Sequence, residues 1–257
     1  MGKVYLIGAG PGDPELLTVK AARLLERATI VLHDSLVSHE VLRLIPRNAE
    51  IVDVGKRCGH KLLTQDEINA LFVSYAAHHA VVIRLKGGDP LIFGRAGEEI
   101  EALRNAGVDF EVVPGITAAL GAAAAARISL TDRRAASQVV MATFSRGTDA
   151  SAMNWAAVTS NTTLVLYMPG ADYAEVAQRL CDAGLPDDLP CVIVSNATTA
   201  QEQIRHTTVA GLGQEERLPA PALLIVGRVA GHRVQEIRAA YWRDRAEQHP
   251  GQHPKVS

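Results

Sequence analysis

The chain has 257 residues, 47% apolar and 21% charged, with a formal net charge of −2, which suits a soluble protein with a full core in one large or two small domains. That balance excludes a global basic field for nucleic acid, and 4% aromatic residues leave few base-stacking platforms. Three cysteines, Cys58, Cys181 and Cys191, without CxxC spacing exclude a disulfide framework or a cysteine zinc site and fit a reducing compartment.

Val4 to Ile7 reads as a first strand, ended by Gly8-Ala9-Gly10-Pro11-Gly12-Asp13-Pro14. Strand-like sequence from Lys3 leaves no room for a leader, and the longest alanine-rich stretch, 118–126, is too short to span a bilayer. A cytoplasmic protein with no membrane partner is the expectation. Asp13 with Pro14 is a helix start, and Leu17, Ala21, Leu24, Leu25 and Ala28 follow at helical spacing. A second strand runs from Thr29 to Leu32 and ends in His33-Asp34-Ser35, before a short helix capped by Ser38. A third strand, Glu50 to Val54, ends in Gly55-Lys56-Arg57-Cys58-Gly59-His60. Thr64 with Glu67 has capping-box spacing and predicts a helix to about His78.

The apolar run Ala80 to Ile83 is a fourth strand, followed by Arg84-Leu85-Lys86-Gly87-Gly88-Asp89-Pro90 and a helix from Arg95 to Ala106. Gly107 closes that helix, and Asp109 to Val113 is a fifth strand. Alternating strands and helices predict a mostly parallel sheet whose functional loops follow the strands' carboxyl ends. Beyond Pro114-Gly115, small residues from Thr117 to Ala126 predict a closely packed helix. Strands are predicted at 138–141, 162–167, 190–194, 203–208 and 222–226, with a helix over 174–183. Shorter connections there predict a mixed sheet. The expected organisation is an N-terminal α/β domain over 1–114, a C-terminal α/β domain over 115–243 and a disordered tail over 244–257.

The loop chemistry narrows the function. GAGPGDP matches the dinucleotide fingerprint poorly: the third glycine is missing, Pro11 removes a donor, and Asp13 opposes a pyrophosphate. A ligand carrying a nucleoside without phosphate remains allowed. In the fourth loop Gly87 and Gly88 permit close backbone approach, although Gly-Gly-Asp-Pro is also good turn chemistry. Cations on both sides of that turn suit an anionic substrate.

VYLIGAGPGDPELLT at 4–18, DVGKRCGH at 53–60, RLKGGDPLIFGRAGEE at 84–99, VVPGITAA at 112–119 and LYMPG at 166–170 together resemble the uroporphyrinogen-III C-methyltransferases, a family of tetrapyrrole methyltransferases. The likeness runs from about Val4 to Val229. It implies two α/β domains with the active site in the cleft between them, a homodimer, and S-adenosylmethionine as methyl donor with S-adenosylhomocysteine as its product. By position, Pro11, Gly87, Gly88, Asp89, Ile92, Thr117, Ala118, Met168 and Ala197 resemble the family's cofactor-binding residues. Asp34 and Lys56 resemble its acid–base pair. Arg95 resembles its substrate-anchoring arginine, and Lys56, Arg57, Arg84 and Lys86 add cations for the carboxylates of a tetrapyrrole. The reaction implied is methylation of uroporphyrinogen III at C-2 and C-7, giving precorrin-2. Alternatives are methylation at another ring position of a precorrin, or a paralogue that binds cofactor and tetrapyrrole without turnover.

The chain departs from the family at His33 and Ser35 beside Asp34, at Phe144-Ser145 where relatives have Gly-His, and at Pro169 after the methionine. Phe144 in place of glycine is expected to close part of the cleft, and His33 to be a packed loop residue. Pro169 stiffens its segment by fixing φ.

Overall fold

A parallel sheet needs strands buried on both faces and a helix after each, and residues 3–125 supply that alternation. The computed structural model describes residues 2–55, 63–144, 153–170 and 172–231. Contacts divide the chain into two compact units, 1–122 with 196–202 and 123–195 with 203–257. The first unit therefore runs past the division expected at 114/115. It also takes in seven residues from far along the chain that no local pattern announces. The tail expected over 244–257 lies outside the described residues.

The first unit holds strands β1 (Lys3–Gly8), β2 (Ile30–His33), β3 (Glu50–Asp53), β4 (Val81–Lys86) and β5 (Asp109–Val113). They form one parallel sheet in the order β3-β2-β4-β1-β5. Helices α1 (Val19–Leu25) and α2 (His39–Leu42) follow β1 and β2, while α3 (Gln65–His78) and α4 (Ala96–Asn105) follow β3 and β4. The connection leaving β1 heads toward β2, and the one leaving β4 heads toward β5. Right-handed crossovers then put α1 and α2 on one face and α3 and α4 on the other. The buried clusters agree. Ile7, Ile83 and Leu85 pack with Ala21, Leu25 and Val41, and Leu6, Leu32 and Val82 pack with Ile68, Phe72 and Leu103.

Adjacent strands with connections leaving in opposite directions open a crevice at their carboxyl ends. Here those strands are β1 and β4, so GAGPGDP and the Gly87-Gly88-Asp89 turn are neighbours. The capping box at α3 forms as predicted: Glu67 N–H donates to Thr64 Oγ1 at 3.2 Å, and Thr64 N–H donates to Glu67 Oε2 at 2.7 Å.

Two expectations change. Asp13 and Pro14 start only a 3-10 turn, Pro14–Leu16. Leu17 returns to extended backbone, and Thr18 caps α1 by accepting from Ala21 N–H. The fourth strand does not stop at Ile83. It continues through Arg84, Leu85 and Lys86, because both cations share the buried Glu99 carboxylate on the α3/α4 face.

The second unit holds a mixed sheet of β6 (Gln138–Thr143), β7 (Thr162–Tyr167), β8 (Pro190–Ser195), β9 (Gln203–Thr208) and β10 (Ala222–Val226), in the order β6-β7-β10-β8-β9. The β6–β7 pair is parallel and the other pairs are antiparallel. The unit division falls inside α5 (Ala118–Ala125). Helices α6 (Tyr173–Asp182) and α7 (Val209–Leu212) bury Val176, Leu180, Val209 and Leu212 against Leu164, Leu166, Ile193 and Leu224. Phe144 belongs to this core, 6% exposed and edge-on to Trp155 at 5.9 Å. It fills the second unit's interior, which corrects the expectation that it narrows a cleft. Ser145 lies outside the described residues.

Candidate active site

The site grows from glycines where strands end. A Cβ on Gly8 would stand 2.6 Å from Gly115 Cα and from Gly88 O. No real side chain has such backbone neighbours, so three segments meet there only because none carries one. Gly10 and Gly88 then exchange backbone hydrogen bonds at 2.8 and 3.1 Å, both with positive φ (72° and 67°). This bridge ties the first loop to the fourth.

Asp89 fixes the far side of the turn. It is 8% exposed. Oδ1 accepts from Leu91 N–H at 2.8 Å, and Oδ2 accepts from Gly115 N–H at 2.9 Å. Both oxygens thus organise the loop, and a carboxylate keeps spare lone pairs for a further donor. Ile92 N–H closes back on Asp89 O at 3.3 Å.

The other expected cofactor positions converge on this bridge. A Cβ on Gly88 would lie 3.5 Å from Ala118 N and 3.9 Å from Thr117 Cα. Pro11 packs on α5, since a Cβ on Gly121 would stand 2.6 Å from Pro11 Cβ. Ala197 lies in the returning segment 196–202, and its carbonyl oxygen would be 3.4 Å from a Cβ on Gly12. Thr198 Oγ1 in the same segment accepts from Asp13 N–H at 3.2 Å. Gly87 sits beneath Leu36, whose Cβ would be 2.9 Å from a Cβ there. Eight of the nine predicted positions therefore occupy one set of loops in the first unit. Met168 belongs to the second unit, where it is 49% exposed with φ 48° between β7 and buried Pro169.

Asp34 stands just beyond β2. Its N–H donates to Leu85 O at 3.2 Å, and its carbonyl accepts from Val37 N–H. His33 is 6% exposed with Nδ1 3.0 Å from Asp34 O, so it is packed as expected, but as the last residue of β2 and not in the loop. The Asp34 carboxylate is 29% exposed; Arg84 Nη2 donates to Oδ1, and Lys86 Nζ lies 3.5 Å from Oδ2. Arg84 and Lys86 were expected to meet substrate carboxylates from a loop. Their side chains are instead 2% and 3% exposed, inside β4, with Glu99 Oε1 accepting from both at 2.9 Å. Alternation along β4 places them on the Val82 face, above α4, and this sends their charge inward. Glu99 is the residue that motif reading misses; its signal is a carboxylate in the first turn of α4.

Arg95 precedes α4 with φ 56°, and its guanidinium is 58% exposed. It clasps Glu98 through Nε (2.8 Å) and Nη2 (2.6 Å). That hydrogen bond holds the Glu98 carboxyl below the usual carboxylate range and raises Arg95 above its own. Arg134 pairs with Asp132 in a local turn at 2.8 and 2.5 Å. Lys56 and Arg57 lie outside the described residues. Among those described, no group of three or more His, Cys, Asp or Glu is arranged to hold a metal, and no helix is long and apolar enough to cross a membrane.

Comparison with known proteins adds the following. Residues 3–213 match the family model for tetrapyrrole (corrin/porphyrin) methylases. A uroporphyrinogen-III C-methyltransferase of Paracoccus denitrificans is 50% identical over 235 residues, covering 90% of this chain and 82% of that one. A siroheme synthase of Pseudoalteromonas atlantica is 46% identical over 236 residues, covering 90% of this chain and 51% of that one, so the chain spans about half the length of that relative. The crystal structure of a Thermus thermophilus uroporphyrin-III C-methyltransferase complexed with S-adenyl homocysteine is 38% identical, with a TM-score of 0.77, covering 89% of this chain and 98% of that one.

Proposed function

Because the chain belongs to the tetrapyrrole (corrin/porphyrin) methylases, we propose that it methylates uroporphyrinogen III at C-2 and C-7 with S-adenosylmethionine, giving precorrin-2 and two S-adenosylhomocysteines. The observation that carries this reading is the convergence of Pro11, Gly87, Gly88, Asp89, Ile92, Thr117, Ala118 and Ala197 on one glycine-lined bridge. Such a cradle fits the cofactor. Side-chain-free backbone at Gly88 and small residues at Ala118 and Ala197 leave room for a nucleoside and an amino-acid moiety, and the spare lone pairs of Asp89 suit an ammonium. Met168 joins the set on family position alone.

Bound cofactor supplies an electrophilic methyl group on a sulfonium. A pyrrole carbon is a weak nucleophile pushed by its own ring nitrogen, so this chain's first contribution is alignment, held by loops that backbone hydrogen bonds fix. Its second is removal of the proton, which we assign to Asp34 with Lys56 as the partner acid. Asp34 is the partly exposed carboxylate at the end of β2, beside the crevice between the β1 and β4 loops. Arg95, Arg57 and Lys56 are the proposed partners of the substrate's carboxylates. Arg95 is highly exposed, and a substrate carboxylate would compete with Glu98 for its charge-assisted fork. A homodimer in the cytoplasm completes the reading, on the family's habit and the cysteine content.

Anaerobic incubation of the chain with S-adenosylmethionine and uroporphyrinogen III should give a dimethylated product. Absence of methylation by protein that binds S-adenosylhomocysteine would overturn the substrate, and methylation of a later intermediate instead would move the site to another ring position.

A further inference from the structure

The proposed base does not sit alone: it is the outermost member of a buried ionic cluster that the reaction as described does not use. Arg84, Lys86 and Glu99 are 1%, 2% and 0% exposed, and their formal charges balance once Asp34 is included. Glu99 Oε1 accepts from Arg84 Nε and Lys86 Nζ, both at 2.9 Å, and lies 3.4 Å from Gln65 Nε2. Among the described residues Glu99 Oε2, fully buried, has no hydrogen-bond partner. An unsatisfied buried carboxylate oxygen is costly, so its retention asks for a reason.

The geometry supplies one. The edge of the Arg84 guanidinium that carries Nε and Nη2 is a fork able to clasp one carboxylate with both donors. Here the fork is split: Nε goes to Glu99 and Nη2 to Asp34, while Nη1 donates to Leu85 O at 3.3 Å. Lys86 is divided likewise, 2.9 Å from Glu99 and 3.5 Å from Asp34. Each cation is thus held between an interior and an outer carboxylate. Without the interior charge, both would turn wholly onto Asp34 and draw it inward.

We infer that Glu99 is a positioning residue for Asp34, holding Arg84 and Lys86 back so that the Asp34 carboxylate stays fixed, outward and only partly engaged. The inference rests on the assignment of Asp34 as base. Glu99 touches neither substrate nor cofactor and acts only through the two cations.

The test is Glu99→Gln, alone and with Asp34→Asn, followed in single turnover with a radiolabelled methyl group. Alone, the substitution should slow the first methylation at least tenfold while the Kd for S-adenosylhomocysteine stays within twofold. Glu99→Asp, which keeps the charge, should recover part of the rate. In the Asp34→Asn background, Glu99→Gln should cost less than twofold. An equal cost in both backgrounds, or parallel loss of rate and cofactor binding, would overturn the inference and leave Glu99 a part of the fold only. Should Glu99→Gln fail to bind cofactor, Glu99→Asp, which draws the charge back from both cations, carries the same comparison: a cost confined to the background with Asp34 intact supports the inference, and an equal cost in both backgrounds overturns it. A wild-type chain that methylates no tetrapyrrole overturns the proposed function. The inference is then read from crystals of Glu99→Gln, where an inward shift of the Asp34 carboxylate supports it and an unmoved carboxylate overturns it.

Discussion

Two aspartates at the ends of neighbouring strands divide the work, and their surroundings predict different losses. Asp89 is buried and spends both oxygens on backbone N–H groups of its own loop and of Gly115. Asp89→Ala leaves two donors unpaired, so the cradle loosens. The Kd for S-adenosylmethionine should rise at least about tenfold, or roughly 1.4 kcal/mol, by calorimetry; an unchanged Kd would contradict this. Asp34→Ala should slow turnover more than it weakens cofactor binding, and equal losses would move Asp34 to the cofactor. Cys191 offers a pH test of the second unit's core. Burial alone pushes its thiol up to about 12 from 9.0. In the unfolded chain the thiol ionises near its ordinary value, while in the folded chain it keeps its proton. The unfolded state therefore binds fewer protons above that value, and stability falls as pH rises toward 12. The slope is about 1.4 kcal/mol per pH unit. Urea titrations at about pH 8 and about pH 10 should show a steeper alkaline loss for the wild type than for Cys191→Ala, and identical losses would remove the thiol as the cause.

Among the elements, β4 shows what the sequence can and cannot say. Its apolar start was legible as a buried strand, but Arg84 and Lys86 broke the run, and a reading based on hydrophobicity ends the strand there. The deciding partner, Glu99, sits thirteen residues beyond Lys86 in the first turn of α4, where its carboxylate is visible in the sequence but its pairing with β4 is not. Caps were more legible. Thr64 with Glu67 formed the predicted box, whereas Thr18, a second cap close behind Asp13, went unread and split the first helix. The glycines at strand ends were visible as permissive turns, but not their mutual contact. Gly8 is the sharpest case, because a Cβ there meets backbone of Gly88 and Gly115, which cannot swing aside. Gly8→Ala should cost at least about 1–3 kcal/mol in urea denaturation and abolish S-adenosylhomocysteine binding. A variant with wild-type stability and affinity would show that this crossing can relax.

At the scale of the whole chain, both sheets and their character were legible because strand and helix periods alternate cleanly. The return of residues 196–202 to the first unit was not, since nothing local distinguishes a loop that stays from one that goes back. That segment is built under strain. Asn196 and Thr198 have φ of 49° and 66°, and Thr198 takes a hydrogen bond from Asp13 N–H in the first loop. Left-handed backbone at a β-branched residue costs about 1–3 kcal/mol, and surroundings that over-determine it repay that cost. A ligand seated on the same loops would add to that determination. It binds the folded chain and not the unfolded one, so at a hundredfold excess over Kd it stabilises by about 2.7 kcal/mol. For a chain of this size that is a rise in melting temperature of about 5–10 °C. S-adenosylhomocysteine should produce that rise by calorimetry in the wild type and a smaller one in Asp89→Ala at the same concentration. No rise in the wild type would mean that the convergence of the strand-end loops on Gly88 is a packing solution and not a cradle.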